Sequence, residues 1–151
     1  NLDQEALAKI KAYEAAKDYT NEEYQSLLLN HHYVKHVLRM APEKWPEPLT
    51  RSFKHLNPDV YIPMQGPSEL GASGILVNWD RTADLKRITV PTLVIGAEHD
   101  TMDPKHMQWM STQFPKGQYL YSAEGSHWAI FDDQKTYMQG VITFLKATDN
   151  E

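Results

Sequence analysis

The chain has no cysteine among its 151 residues. Disulfides and thiolate metal sites are therefore excluded, and cysteine usage leaves the compartment open. Basic residues are few and scattered: 15 Lys and Arg stand against 20 Asp and Glu, for a net charge of −5. No basic stripe is available for nucleic acid, so no nucleic-acid partner is expected, and the mildly acidic surface mainly favours solubility. No apolar run approaches the roughly 20 residues needed to span a bilayer, and no membrane partner is expected. Asn1-Leu2-Asp3-Gln4-Glu5 is neither a signal peptide nor an initiator sequence, which leads us to expect a fragment and a cytoplasmic location. A G-x-S-x-G pentapeptide is also missing. Internal repeats and low-complexity tracts are not evident.

What is present falls into two styles. Residues 1–18 repeat apolar positions at helical spacing (Leu2, Ala6, Leu7, Ile10, Tyr13) with alanines between them, which predicts a helix. Thr20-Asn21-Glu22-Glu23 has the form of a capping box led by Thr20. A second helix then carries Tyr24, Leu27, Leu28 and Val34 toward Met40, where Ala41-Pro42 stops it. Pro42, Pro46 and Pro48 punctuate a connector, with Trp45 expected against a helix, and a short helix is expected over 49–56. From Tyr61 to Trp79 glycines and prolines predict loop, and 80–88 suits a short helix.

Beyond residue 88 the pattern changes. Val90-Pro91-Thr92-Leu93-Val94-Ile95-Gly96 is a short continuous apolar run, the pattern of a buried parallel strand. Asp103-Pro104 reads as N-cap and first residue of a helix whose inner face takes Met107 and Met110. Gly117–Tyr121 is a second strand, and Asp132 or Asp133 is expected to cap a last helix bearing Tyr137, Val141, Phe144 and Leu145. Two parallel strands make a poor sheet alone, so further strands are expected from a missing N-terminal segment.

The chemistry lies at the ends of those two strands. Asp100 follows the first and His127, in Gly125-Ser126-His127-Trp128, follows the second. A carboxylate at the C-terminal end of a parallel strand faces the crevice where α/β sheets bind ligands. It can hold an imidazole in the tautomer needed for proton transfer. Acid then base, in that chain order, are the last two members of a Ser, Asp, His relay. Each reading has a plainer rival: Asp100 as a turn residue, His127 as a surface-loop histidine. Neither Ser73, in Gly71-Ala72-Ser73-Gly74, nor Ser126 sits on a strand-to-helix elbow. The nucleophile and the oxyanion donors must come from elsewhere, and the chain alone is expected to be inactive. His31, His32 and His36 lack the glutamate of H-E-x-x-H and a third ligand, so no metal and no other cofactor is expected. His99 is expected to point away from Asp100, and His55 and His106 read as surface residues.

Several motifs keep a common order and spacing. They are Gln65-Gly66-Pro67-Ser68-Glu69-Leu70, Asn78-Trp79-Asp80, Val90–Gly96, His99–Met107, Gly125-Ser126-His127 and Asp132-Asp133-Gln134. In these the chain, from about residue 20 onward, resembles the proline iminopeptidases, prolyl aminopeptidases of the α/β-hydrolase fold. The resemblance implies release of an N-terminal residue, preferably proline, from short peptides. It also implies that Glu69, on a cap, binds the free amino or imino group of the substrate by a charge-assisted hydrogen bond. On the residues alone, Glu69 reads instead as a cap of a short helix begun by Pro67-Ser68. The chain departs from the family at Thr101, where some members carry a second glutamate. Recognition of the amine should then rest more heavily on Glu69 or on an acid elsewhere. Tyr61, Trp79 and Trp128 are candidates for a ring-sized apolar pocket.

The expectation is an α/β chain: the C-terminal portion of an α/β-hydrolase, with parallel strands and flanking helices over 86–151, preceded by a helical cap over 1–85. Asp100 orients, His127 shuttles the proton and Glu69 holds the substrate. The expected partners are an N-terminal segment or chain carrying the serine and a short peptide or amino-acid amide. Two rivals remain: an amidase or esterase using the same relay, and a non-catalytic helical binding module.

Overall fold

The computed structural model describes residues 3–149. Leu2, expected on the first helix, lies outside them. The chain divides into two compact units, Asn1–Trp79 and Asp80–Glu151.

The first unit is helical. Helix α1 (Gln4–Ala16) starts on Asp3, whose side chain accepts from the Ala6 amide at 2.9 Å. It ends on Lys17, which takes the left-handed conformation at φ 56°. Helix α2 (Glu22–Leu28) is capped by Asn21, not Thr20, with Asn21 Oδ1 accepting from the Glu23 amide at 3.0 Å. The capping box therefore does not form. The Glu23 carboxylate is engaged on α1 instead, accepting from the Tyr13 hydroxyl at 2.6 Å and Lys9 Nζ at 3.2 Å. Removing a working N-cap costs about 1 kcal/mol. Urea unfolding should accordingly show Asn21→Ala destabilised by about that amount, with Thr20→Ala nearly unchanged.

The expected second helix does not run α-helically to Met40. Leu29–Val37 is a π-helix, closed by the Leu38 amide donating to Tyr33 O at 2.9 Å. Bonding over five residues brings residues about five apart to one face, and Leu28, His32 and Val37 are all buried. A 3₁₀ turn at Pro42–Lys44 and helix α3 (Glu47–Lys54) follow. Trp45 packs against Phe53 of α3, ring centres 6.1 Å apart, and its indole N–H donates to Met40 O at 3.0 Å. Helix α4 (Pro58–Met64) occupies the start of the expected loop, with Asn57 as its N-cap and Pro58 opening it. The core is Ile10, Tyr24 and Leu28, with Tyr13, Tyr33 and Leu70 packed around it.

The second unit opens with a 3₁₀ helix at Thr82–Arg87, within the span expected for a short helix. Strand β1 (Thr92–Ala97) and strand β2 (Gly117–Ser122) pair in parallel, Thr92 opposite Gly117 and Ala97 opposite Ser122. Helix α5 (Pro104–Ser111) connects them, its amide at Lys105 donating to the Asp103 cap at 2.9 Å. The final helix, α7 (Gln134–Thr148), starts after Asp133 as expected and is preceded by a one-turn helix, α6 (Ala129–Asp132). Asp133 stands between them with φ −131° and ψ 49°. Tyr137, Val141 and Phe144 are partly buried, whereas Leu145, expected on the inner face, is exposed.

Candidate active site

Parallel pairing in this register brings the C-terminal ends of β1 and β2 side by side. The pairing continues past the strands: the Glu98 amide donates to Ser122 O and the His99 amide to Gly125 O, both at 3.0 Å. The two segments bearing Asp100 and His127 are thus tied backbone to backbone. Across them His127 Nδ1 lies 2.9 Å from Asp100 Oδ1. A carboxylate accepts, so the ring proton sits on Nδ1, and in the neutral imidazole Nε2 is the basic nitrogen.

Asp100 is held by more than the histidine. Its Oδ1 also accepts from the Met102 amide and the Thr101 hydroxyl, each at 3.1 Å. Its side chain is only 12% exposed, against 31% for His127. Burial raises the carboxyl pKa, but the hydrogen bonds from His127, Met102 and Thr101 outweigh it, and Asp100 ionises below its ordinary value. Both side chains line a cavity of about 220 Å³ with Ile95, Ala97, Met107 and Ser126. The Trp128 ring stands edge-on to His127, with centres 6.5 Å apart. Ser126 is buried and donates to Asp132, a structural engagement.

Glu69 belongs to the helical unit. Its side chain is partly buried and accepts from the Tyr61 hydroxyl. The segment carrying it is fixed from three sides. Its backbone carbonyl is 3.1 Å from His32 Nε2. Ser68 donates to Glu14 Oε1 at 2.9 Å, and the Tyr24 hydroxyl lies 3.4 Å from Pro67 O and 3.2 Å from the same Glu14 oxygen. Burial holds His32 below its ordinary pKa, and burial first, then Glu69, pushes the Tyr33 hydroxyl up to about 12. Glu69, Tyr61, Tyr33, Trp45 and Phe53 line a cavity of about 640 Å³ within this unit. Tyr33, Trp45 and Phe53 were not singled out in the sequence as lining residues. Of the three aromatics that were, Tyr61 lines this cavity, Trp128 belongs to the other unit, and Trp79 is 66% exposed. His32 and His36 are in ring contact at 5.3 Å. No group of three or more candidate metal ligands exists among the described residues.

No family model matches the chain. Curated relatives do. A proline iminopeptidase of Chitinophaga pinensis is 47% identical over 95% of this chain and 48% of its own length. One from Elizabethkingia meningoseptica is 50% identical over 97% of this chain and 49% of its own length. One from Flavobacterium johnsoniae is 48% identical over 97% and 49% respectively. Among solved structures, VinJ superposes with a TM-score of 0.87 at 27% identity, covering 97% of this chain and 49% of that one. The proline iminopeptidase of Mycobacterium smegmatis superposes with a TM-score of 0.77 at 29% identity, covering 98% and 49%. The chain spans about half the length of the curated relatives it matches, and its fold is that of an α/β-hydrolase over the part present.

Proposed function

This chain is a homologue of the proline iminopeptidases over about half their length, and we propose that it supplies the acid, the base and the amine-binding residue of a serine aminopeptidase. The observation that carries the reading is the 2.9 Å pairing of His127 with Asp100 at adjacent strand tips. In this reading a serine on the other half of the protein gives its hydroxyl proton to His127 Nε2 as its oxygen attacks the substrate carbonyl. Asp100 stabilises the imidazolium that results. His127 then returns the proton to the departing amine, and water releases the acyl group by the same route. Glu69 fixes the substrate's positively charged amino terminus, and Tyr33, Trp45 and Phe53 give the cavity around it apolar walls suited to a ring.

The family resemblance implies a second glutamate in some members where this chain has Thr101, and in this reading its absence favours a range of amino-acid amides over strict selection of proline. The test is complementation. The chain mixed with the half of a relative that it lacks should hydrolyse a prolyl arylamide, with alanyl and leucyl arylamides also turned over. A fluorophosphonate probe should label the added half. No turnover, or labelling of Ser73 or Ser126 on this chain, would count against the assignment.

A further inference from the structure

The segment that carries His127 is fastened by two consecutive aspartates that the proposed proton relay does not use. Ser122, the last residue of β2, is fully buried, and its hydroxyl donates to Asp133 Oδ2 at 2.6 Å. Ser126, 1% exposed, makes a two-pronged contact. Its amide donates to Asp132 Oδ1 at 3.1 Å and its hydroxyl to Asp132 Oδ2. The break between α6 and α7 at Asp133 gives the two neighbouring carboxylates separate serines to meet. Gly125 fits between these ties because it has no side chain: an added Cβ would lie 2.2 Å from Ser122 Oγ and 2.7 Å from Ala129 Cβ. Gly125 O in turn receives the His99 amide, so the same loop is held to the Asp100 side as well.

We infer that Asp132, acting through Ser126, is the positioning residue that sets the His127 ring against Asp100, while Asp133 and Ser122 anchor the root of the loop. The inference rests on the Asp100–His127 pairing. His127 follows Ser126 directly, so holding Ser126 at its amide and hydroxyl fixes where the His127 backbone starts and hence where its imidazole can meet Asp100. Errors of about 1 Å in such a group can cost on the order of 10²-fold in rate, and a supporting shell of hydrogen bonds is what prevents them.

The test needs no turnover and uses the chain, uniformly labelled with ¹⁵N, in complex with the complementing half of a relative. The unmutated chain should show a downfield imidazole proton for His127 Nδ1–H. Asp132→Ala should lose that signal to solvent exchange, while the backbone amides of Val94 and Tyr119 keep their native shifts. Asp132→Asn should retain it, because the amide oxygen can accept from the Ser126 amide and its NH₂ can donate to the Ser126 hydroxyl. If Asp132→Ala unfolds, Ser126→Ala, which removes only the hydroxyl prong, should speed exchange of the His127 proton at least roughly tenfold, the scale of a lost hydrogen bond. Retention of the signal in folded Asp132→Ala, its loss in Asp132→Asn, or unchanged exchange in Ser126→Ala overturns the inference. Absence of the signal from the unmutated chain removes the pairing with Asp100, and the inference with it.

Discussion

Replacing Asp100 by asparagine is expected to lower turnover of a prolyl arylamide by about 10⁴-fold in the complemented enzyme, the scale seen when a relay carboxylate is neutralised. His127→Ala should fall at least as far. The reason is in the bonding of one oxygen. Asp100 Oδ1 accepts from His127 Nδ1, the Met102 amide and the Thr101 hydroxyl. An asparagine that turns its NH₂ toward the ring forces the proton onto Nε2, the nitrogen that must act as base. One that keeps its oxygen there preserves the tautomer but removes the negative charge facing the imidazolium. Both orientations lose the transition state, and with the amide oxygen kept at the Oδ1 position all three hydrogen bonds can re-form, so the variant should fold. The pH dependence follows with a definite sign. Asp100 ionises below its ordinary value in the folded chain, since the hydrogen bonds it accepts outweigh burial. Its contribution to stability is therefore complete above the unfolded carboxyl pKa of about 3.9 and is lost as pH falls through the lower folded value. Rate measurements should show no loss of activity traceable to Asp100 above about pH 4. An Asp100→Asn enzyme within tenfold of the parent would remove the carboxylate from the relay.

Much of the second unit was legible because its signals are local. The apolar run ending at Gly96 places β1 within two residues of its observed limits, and Asp103-Pro104 places the start of α5. The spacing between Asp100 and His127 then follows from one helix and one strand between two parallel strand ends. The first unit was harder. Thr20 and Asn21 are both good caps in adjacent registers, and Tyr13 and Lys9 decide between them by holding Glu23 on α1. The π-helix has an ordinary helical composition and is visible only in the five-residue spacing of buried His32 and Val37. Asn57-Pro58 is itself a cap-and-start signal, and the glycines and prolines beyond it drew the reading toward loop. The ties from Ser122 and Ser126 to Asp133 and Asp132 span 11 and 6 residues. They depend on the short helix α6 and the turn at Asp133 that precede α7, and the sequence carries no local signal for these.

Glu69→Gln is expected to raise KM for an amine-bearing arylamide by about 10- to 100-fold with a smaller change in kcat. A hydrogen bond to a charged group contributes about 1.5–3 kcal/mol, and a contact made equally in ground and transition states appears in KM. Glutamine keeps the size of the side chain and an oxygen that can accept from Tyr61, so the cavity should persist while the charge that meets the substrate's ammonium is gone. Tyr61 cannot take over that role. Burial first, then the hydrogen bond to Glu69, pushes its hydroxyl well above the usual tyrosine range, so it remains a neutral donor. An acylated substrate, which has no positive charge at its amino terminus, separates charge recognition from general damage to the pocket. Parent and Glu69→Gln enzymes should treat it alike, both poorly. Equal KM values for the free-amine substrate would take Glu69 out of recognition and send the search to another acid, with Asp103 an unpromising choice because it already caps α5.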